Sequence, residues 1–562
     1  MKILFILFPV FLLFACTIKE KADLILVNGN VYTMDPLRPH TEAVAVLNGK
    51  FLYAGDNEHA LSCKTSSTKV IDLHGQTVIP GLIESHGHFM QMGFNLMQLD
   101  LHGVPSYEEL VARVKKAVSH AEPGEWILGM GWHQSKWSHI PGKTVYGFPT
   151  NKLLNEVSPD NPVFLFHASG HAALANAKAM EIAGITRNTK YTGDGEIIRD
   201  ENGDPTGIFN EGAAGLIQKY VPEPGPKENL KAFRTAVNEC LKNGITTFHD
   251  AGVSKETIPF YKSMLDSGEM KVRMYVMILG SDSALMDEYM NKGPEIGLGD
   301  NFLTVRAIKL FADGALGSRG AWLLEPYTDE PDQYGGPAED SAFIYHIASR
   351  GIKHGFQVCT HAIGDRANRE VLNIYQEVFS QNPDVKDPRF RVEHAQHLSP
   401  EDIPRFAEMG VIASMQTIHM SSDRPWAIDR LGEKRIKEGA YVWQKLLKSG
   451  ARIVDGTDVP VEPINPIANF YAAVTRKTLK GTPEGGYEPE EKMTREQALR
   501  SYTLDAAYGE FDEHLKGSIE PGKLADLTIL DKDIMKIPDD EILSTRVSMT
   551  IIGGKVVYRL VK

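Results

Sequence analysis

The chain has 562 residues, with 60 Lys and Arg against 73 Asp and Glu, giving a formal charge of −13. A mildly acidic chain without a basic cluster argues against nucleic acid as a partner. Four scattered cysteines make no disulfide framework, so the fold must rest on buried apolar surface, and this length supports one large domain plus a smaller one.

At the N-terminus, Met1-Lys2 precedes an apolar run from Ile3 to Ala15. The run is too short to span a bilayer as a mature helix and suits the core of a signal peptide, residues 1–15. It ends in Leu13-Phe14-Ala15-Cys16, which resembles a bacterial lipobox. The resemblance implies cleavage before Cys16, lipidation of that cysteine, and a lipid-anchored protein of the cell envelope, periplasmic or on the outer face of a bacterial membrane. An ordinary secretory signal, or an uncleaved anchor with an incidental cysteine, is the alternative. Elsewhere no apolar run reaches the roughly 18 residues a spanning helix needs, so lipid would be the membrane attachment.

Residues 16–76 read as short alternating strands, ADLILVNGNVYTMD and TEAVAVLNGKFLYAGD, with Asn28-Gly29 and Asn48-Gly49 as hairpin signals. Residues 509–562 repeat this texture in LADLTILDKD and SMTIIGGKVVYRLVK, with a Gly553-Gly554 hairpin. Both ends together predict a small β-sandwich.

Between them, residues 77–508 alternate apolar strands with helical patterns, the signature of βα units and a parallel sheet. The predicted strands are TVIPGLIESH, GITTFHDAG, VRMYVMIL, LTVRAIKLFADG, FQVCTHAIGD, FRVEHAQ, VIASMQ and ARIVDGTD. Eight strands of this kind predict an α/β fold, a (β/α)8 TIM-like barrel whose C-terminal strand ends converge on an active site. The segment at about 101–205, with Trp126, Trp132 and Trp137 among many Gly and Pro, breaks the rhythm and reads as an insertion over the barrel mouth.

The chemistry-bearing residues sit at strand ends. His86 and His88 stand two apart in VIPGLIESHGHF, so both imidazoles project to one side of an extended chain, as a shared metal ion requires. With 19 His in the chain, about 0.6 such pairs arise by chance, so the pair needs support. Lys309, His361, His394 and Asp458 supply it at the ends of four later strands. Singly, a strand-end His is more often a core residue, and an Asp after Gly-Thr more often a cap. An independent set of structural residues need not all fall at strand ends.

This order of residues resembles the amidohydrolase superfamily. IKLFADGALGSRGAWL, CTHAIGDRAN, RVEHAQ and DGTDVPVEPINP narrow the resemblance to the branch containing N-substituted formamide deformylase, over nearly all of residues 23–562. It implies hydrolysis of C–N bonds other than ordinary peptide bonds, in an amide, formamide or N-acyl amine, by a metal-activated water. His86, His88 and Asp458 would hold a divalent cation, Zn foremost. His361 and His394 would hold a second ion or orient the scissile group. Lys309 would bridge the two as a carbamate; an ordinary lysine paired with Asp313 is the alternative. Asp458 would also be the catalytic acid/base. A mononuclear deaminase of a heterocyclic ring and a catalytically silent lipid-anchored binding protein are the rival readings. The substrate is a small molecule in either enzymatic case. Arg319, His171 and Trp132 are weaker candidates for substrate contacts, and Glu211 and His249 have no role that the sequence assigns.

Overall fold

The computed structural model describes residues 21–134, 137–138, 144–168, 171–193 and 195–561; the expected signal peptide and Cys16 lie outside the described residues. The chain divides into two compact units, residues 1–88 with 239–562 and residues 89–238.

In the first unit both termini build two sheets. Strands 50–55, 43–47, 24–27 and 69–72 form one, in that order, and 555–559, 547–552, 527–530, 77–80, 30–32 and 40–41 form the other. Every side chain of Leu24–Val27 is buried. Leu24 and Leu26 pack with Val78, Leu527 and Ile551 in the core the two sheets share. Ile25 and Val27 face the other way and pack with Ala43, Ala45 and Ala60. Ala60 belongs to helix Asn57–Ser62, whose N-cap Asp56 accepts from the His59 N–H. A strand covered on both faces accounts for the unbroken apolar run.

Two of the three hairpin signals hold. Asn48 and Gly49 have φ 51° and 76°, and Gly553 and Gly554 have 54° and 71°, the positive pairs a type I′ turn requires. Asn28-Gly29 is not a hairpin. Strand 24–27 is already paired on both edges, to 43–47 and 69–72, so the chain crosses to the other sheet after Asn28.

The barrel strands follow, all eight where the sequence places them. They are β1 (82–87), β2 (245–253), β3 (273–279), β4 (303–311), β5 (357–362), β6 (391–394), β7 (412–415) and β8 (453–455), each parallel to the next. The gap between β8 and β1 is bridged just beyond the strand ends, where Asp458 N–H donates to His86 O at 2.8 Å and His88 N–H to Val459 O at 2.7 Å. The expected strand TVIPGLIESH is two strands. Thr77–Pro80 pairs with 527–530 in the sandwich, whereas Leu82–Gly87 enters the barrel. The joint is Gly81, where a Cβ would fall 2.3 Å from Thr246 Oγ1. A second tie is the buried pair of Arg273 on β3 and Asp526, bidentate at 2.7 and 3.0 Å.

The second unit has its own six-stranded sheet, ordered 197–199, 205–210, 172–175, 163–167, 127–132, 99–100. Helix Phe89–Met97 belongs to it. Phe89 packs on Phe233 at 5.4 Å, and Gly93 lies so close to Ala232 that a Cβ would meet its carbonyl oxygen at 2.2 Å.

Candidate metal centre

His86 is the penultimate residue of β1 and is buried at the barrel mouth. Its Nδ1 hydrogen-bonds the Glu393 carboxylate, which is itself fully buried on β6 and gripped by Arg391, Nε to Oε1 at 2.7 Å and Nη2 to Oε2 at 2.9 Å. A carboxylate accepts, so Nδ1 carries the proton and the Nε2 lone pair faces the cavity. His88 and His394 are held in the same sense. Nδ1 of His88 donates to Ala251 O at 2.9 Å, and Nδ1 of His394 to Gln416 Oε1 at 2.7 Å. With Nδ1 engaged in each, Nε2 is the atom these three rings have left to offer a cation.

Asp458 completes the first group. Its Oδ1 lies 3.2 Å from His88 Nε2 and 3.7 Å from His86 Nε2. One donor atom each from His86, His88 and Asp458 lie within 4.8 Å of one another. A tetrahedral cation with bonds of about 2.0–2.1 Å needs donor separations of about 3.3–3.4 Å. The donor set and its spacing therefore fit a divalent metal.

Lys309, His361 and His394 close the ring. Lys309 Nζ is 3.3 Å from His86 Nε2 and buried. The His361 and His394 rings lie 4.5 Å apart, and His86 and His394 4.9 Å. Burial, with Lys309 adding to it, holds the His86 imidazole down to about 4 and His361 to about 3, so both rings are neutral ligand forms. Burial also lowers Lys309 from the ordinary lysine range. Burial would raise Asp458, but the hydrogen bond with His88, whose own pKa the same contact raises against burial, outweighs it and keeps the carboxyl ionised. Asp313 is not the partner of Lys309. Its oxygens accept the backbone N–H groups of Trp322, Ile363 and Gly364 at 2.8–2.9 Å.

These residues line a cavity of about 410 Å³ that also includes Phe311, Leu316, Gln396, His419, Asp423 and Trp426. All six expected ligands meet there. The other candidates do not line it. Arg319 is committed to Asp329, Nη2 to Oδ2 at 2.9 Å, at the surface. Trp132 is a fully buried core residue of the second unit, its indole N–H donating to Leu165 O at 3.0 Å, so it has no free face for a substrate. His171, also in the second unit, lies 3.0 Å from Glu211 Oε2 beside a separate cavity of about 560 Å³. His249 is buried with Nδ1 3.0 Å from Arg391 Nη1, part of the support beneath Glu393.

Sequence reasoning passed over Arg391 and Glu393. Their signal was two opposite charges two apart inside a short buried strand, RVEH, where charges are almost never found unless paired. Backbone angles also mark the site. His394 and Asp458 have φ 75° and 58°, left-handed values rarely adopted by residues other than glycine, and such strain clusters at functional positions.

The amidohydrolase family pattern matches residues 69–558. The chain is 34% identical to protein LONG AFTER FAR-RED 3 of Arabidopsis thaliana, over 96% of this chain and 92% of that one. It is 28% identical to N-substituted formamide deformylase of Arthrobacter pascens, over 96% and 99%. A crystal structure of an uncharacterised metal-dependent hydrolase from Pyrococcus furiosus superposes with a TM-score of 0.73 at 30% identity, covering 91% of this chain and 100% of that one.

Glu393→Gln removes the charge that fixes the His86 proton on Nδ1. The variant, folded by circular dichroism, is expected to bind zinc about 10- to 100-fold more weakly in equilibrium dialysis. Unchanged affinity would show that Glu393 does not orient the ligand.

Proposed function

The chain belongs to the amidohydrolase family and is a metal-dependent hydrolase, and from that premise we propose that it cleaves the C–N bond of a small amide, formamide or N-acyl amine. One observation carries this reading: three imidazoles with their Nδ1 atoms engaged, those of His86, His88 and His394, line one cavity with Asp458 and Lys309. Likeness to N-substituted formamide deformylase supports the bond type.

In this reading His86, His88 and Asp458 hold the first cation. A cation there lowers the pKa of a bound water toward neutrality and polarises a carbonyl oxygen. Oδ1 of Asp458 faces the two imidazoles, leaving Oδ2 to take a proton from the attacking water and return it to the leaving amine. His361 and His394 would hold a second ion, and a carbamate on Lys309 would supply further oxygen donors. Carbamylation replaces an ammonium that repels cations with an anion, and the burial of Lys309 favours its neutral, reactive amine. A mononuclear deaminase of a heterocyclic ring is the second reading. It is favoured by the fact that, among the described residues, His86, His88 and Asp458 alone form a tight ligand group.

Zinc-loaded protein is expected to hydrolyse N-substituted formamides or N-acyl amines with two ions per chain. His86→Ala, His88→Ala and Asp458→Ala should each lower kcat/KM at least about a thousandfold, roughly 4 kcal/mol. Lys309→Ala should lose metal and activity, with partial rescue by short carboxylic acids. Full activity with one ion per chain, together with ammonia release from purine- or pterin-like rings, would instead establish the deaminase.

Lipidation of Cys16 and an envelope location belong to the same proposal, supported by the apolar run ending Leu-Phe-Ala-Cys. Cys16→Ser should abolish labelling by a fatty-acid probe and release the protein from membranes; equal membrane association in the variant would refute the anchor.

A further inference from the structure

The cavity in front of the histidines holds more carboxylate than the chemistry above uses. Asp423 and Glu462 both line it, near Trp426. Among the described residues lining it, Lys309 is the single Lys or Arg, and it sits against His86. Asp423 takes its hydrogen bonds through one oxygen, with Gln396 Nε2 and Tyr441 OH each donating to Oδ2 at 3.2 Å. Oδ1 is left for something else. Burial, with the nearby Glu462 charge as a further cause, holds the Asp423 carboxyl above its ordinary value. Two neighbouring carboxylates in a half-enclosed space repel one another, an arrangement that is costly unless a cation joins them.

His419 is an independent sign of a ligand. It precedes Asp423 by one turn on helix Thr417–Gly439, so the two share a helix face. The residue is 9% exposed, and its ring stacks on that of His394 at 6.2 Å with the planes 15° apart. Its Nε2 is buried in the cavity wall without a hydrogen-bond partner, a position polar atoms occupy rarely unless a ligand or water satisfies them.

A further metal site is a poor fit for Asp423, Glu462 and His419. Among the described residues, only His86, His88 and Asp458 converge within 4.8 Å as a ligand set. Separated acceptors instead suit an organic ammonium, which carries several N–H donors, and an apolar stem can lie along Leu316 and the Trp426 ring. We infer that the cavity selects substrates bearing a protonated amine remote from the scissile C–N bond, with Asp423 and Glu462 as specificity-determining residues and His419 as a further acceptor. This rests on the hydrolase reading proposed above and names its substrate class.

Two measurements on the zinc-loaded protein test it. Calorimetry compares pentylammonium with pentanol, and kinetics compares N-formylcadaverine with N-formylhexylamine, which carries a methyl in place of the ammonium. The ammonium is expected to win by at least about tenfold in each pair. Asp423→Asn should bring both ratios to within about threefold of unity, and Glu462→Gln, at a partly exposed position, should lower both without threatening the fold. Equal binding of ammonium and alcohol, or ratios that survive Asp423→Asn, overturns the inference. Preferential ammonium binding without turnover of either formamide would count against the formamide reaction and leave the cation site standing. Equal turnover of both would do the reverse.

Discussion

The carboxylate of Glu393, fully buried on β6 and clamped by Arg391, sets the orientation of the first histidine of the site. A buried carboxylate is tolerated only when its lone pairs are used. Here Arg391 takes both oxygens, its Nη2 also lies 2.6 Å from Ser85 O and 2.7 Å from Ser414 Oγ, and its Nη1 reaches the His249 ring. Strands β1, β2, β6 and β7 thereby meet on one guanidinium. The same polar cluster that orients His86 also ties four of the barrel strands together.

The strand ends above this cluster are held as tightly. Glu84 on β1 accepts the Thr457 N–H at 2.6 Å and its hydroxyl at 3.0 Å, which pulls the segment after β8 against β1. Only glycine fits at 456, since a Cβ there would fall 2.3 Å from Glu84 Oε1 and 2.7 Å from the His86 backbone nitrogen. Asp458 follows with its left-handed backbone, which turns the carboxylate toward the two histidines. Strain at Asp458 and His394 is sustained because the neighbouring hydrogen bonds leave the chain no alternative path.

Much of this was legible in the sequence because it is written in local pattern. Strand-end positions of His86, His361, His394 and Asp458, and the terminal hairpins at Asn48-Gly49 and Gly553-Gly554, depend on periodicity and turn chemistry alone. What stayed hidden depends on partners distant in the chain. Asn28-Gly29 has a hairpin's sequence, yet its strand already had two neighbours. Trp132 and Arg319 have the chemistry of substrate contacts but are occupied by Leu165 and Asp329. Glu393 and His419 were overlooked for the converse reason. Their importance comes from partners distant in the chain, His86, 307 residues before Glu393, and the cavity wall around His419.

The protein scaffold pre-orients Nε2 of His86 and His88 toward Asp458 for a divalent cation. Anomalous diffraction from zinc-loaded crystals tests it most directly. A peak is expected about 2.0–2.2 Å from both Nε2 atoms and from an Asp458 oxygen, with His86 Nδ1 still on Glu393. A peak away from these three residues, or a His86 ring turned to offer Nδ1, would contradict it.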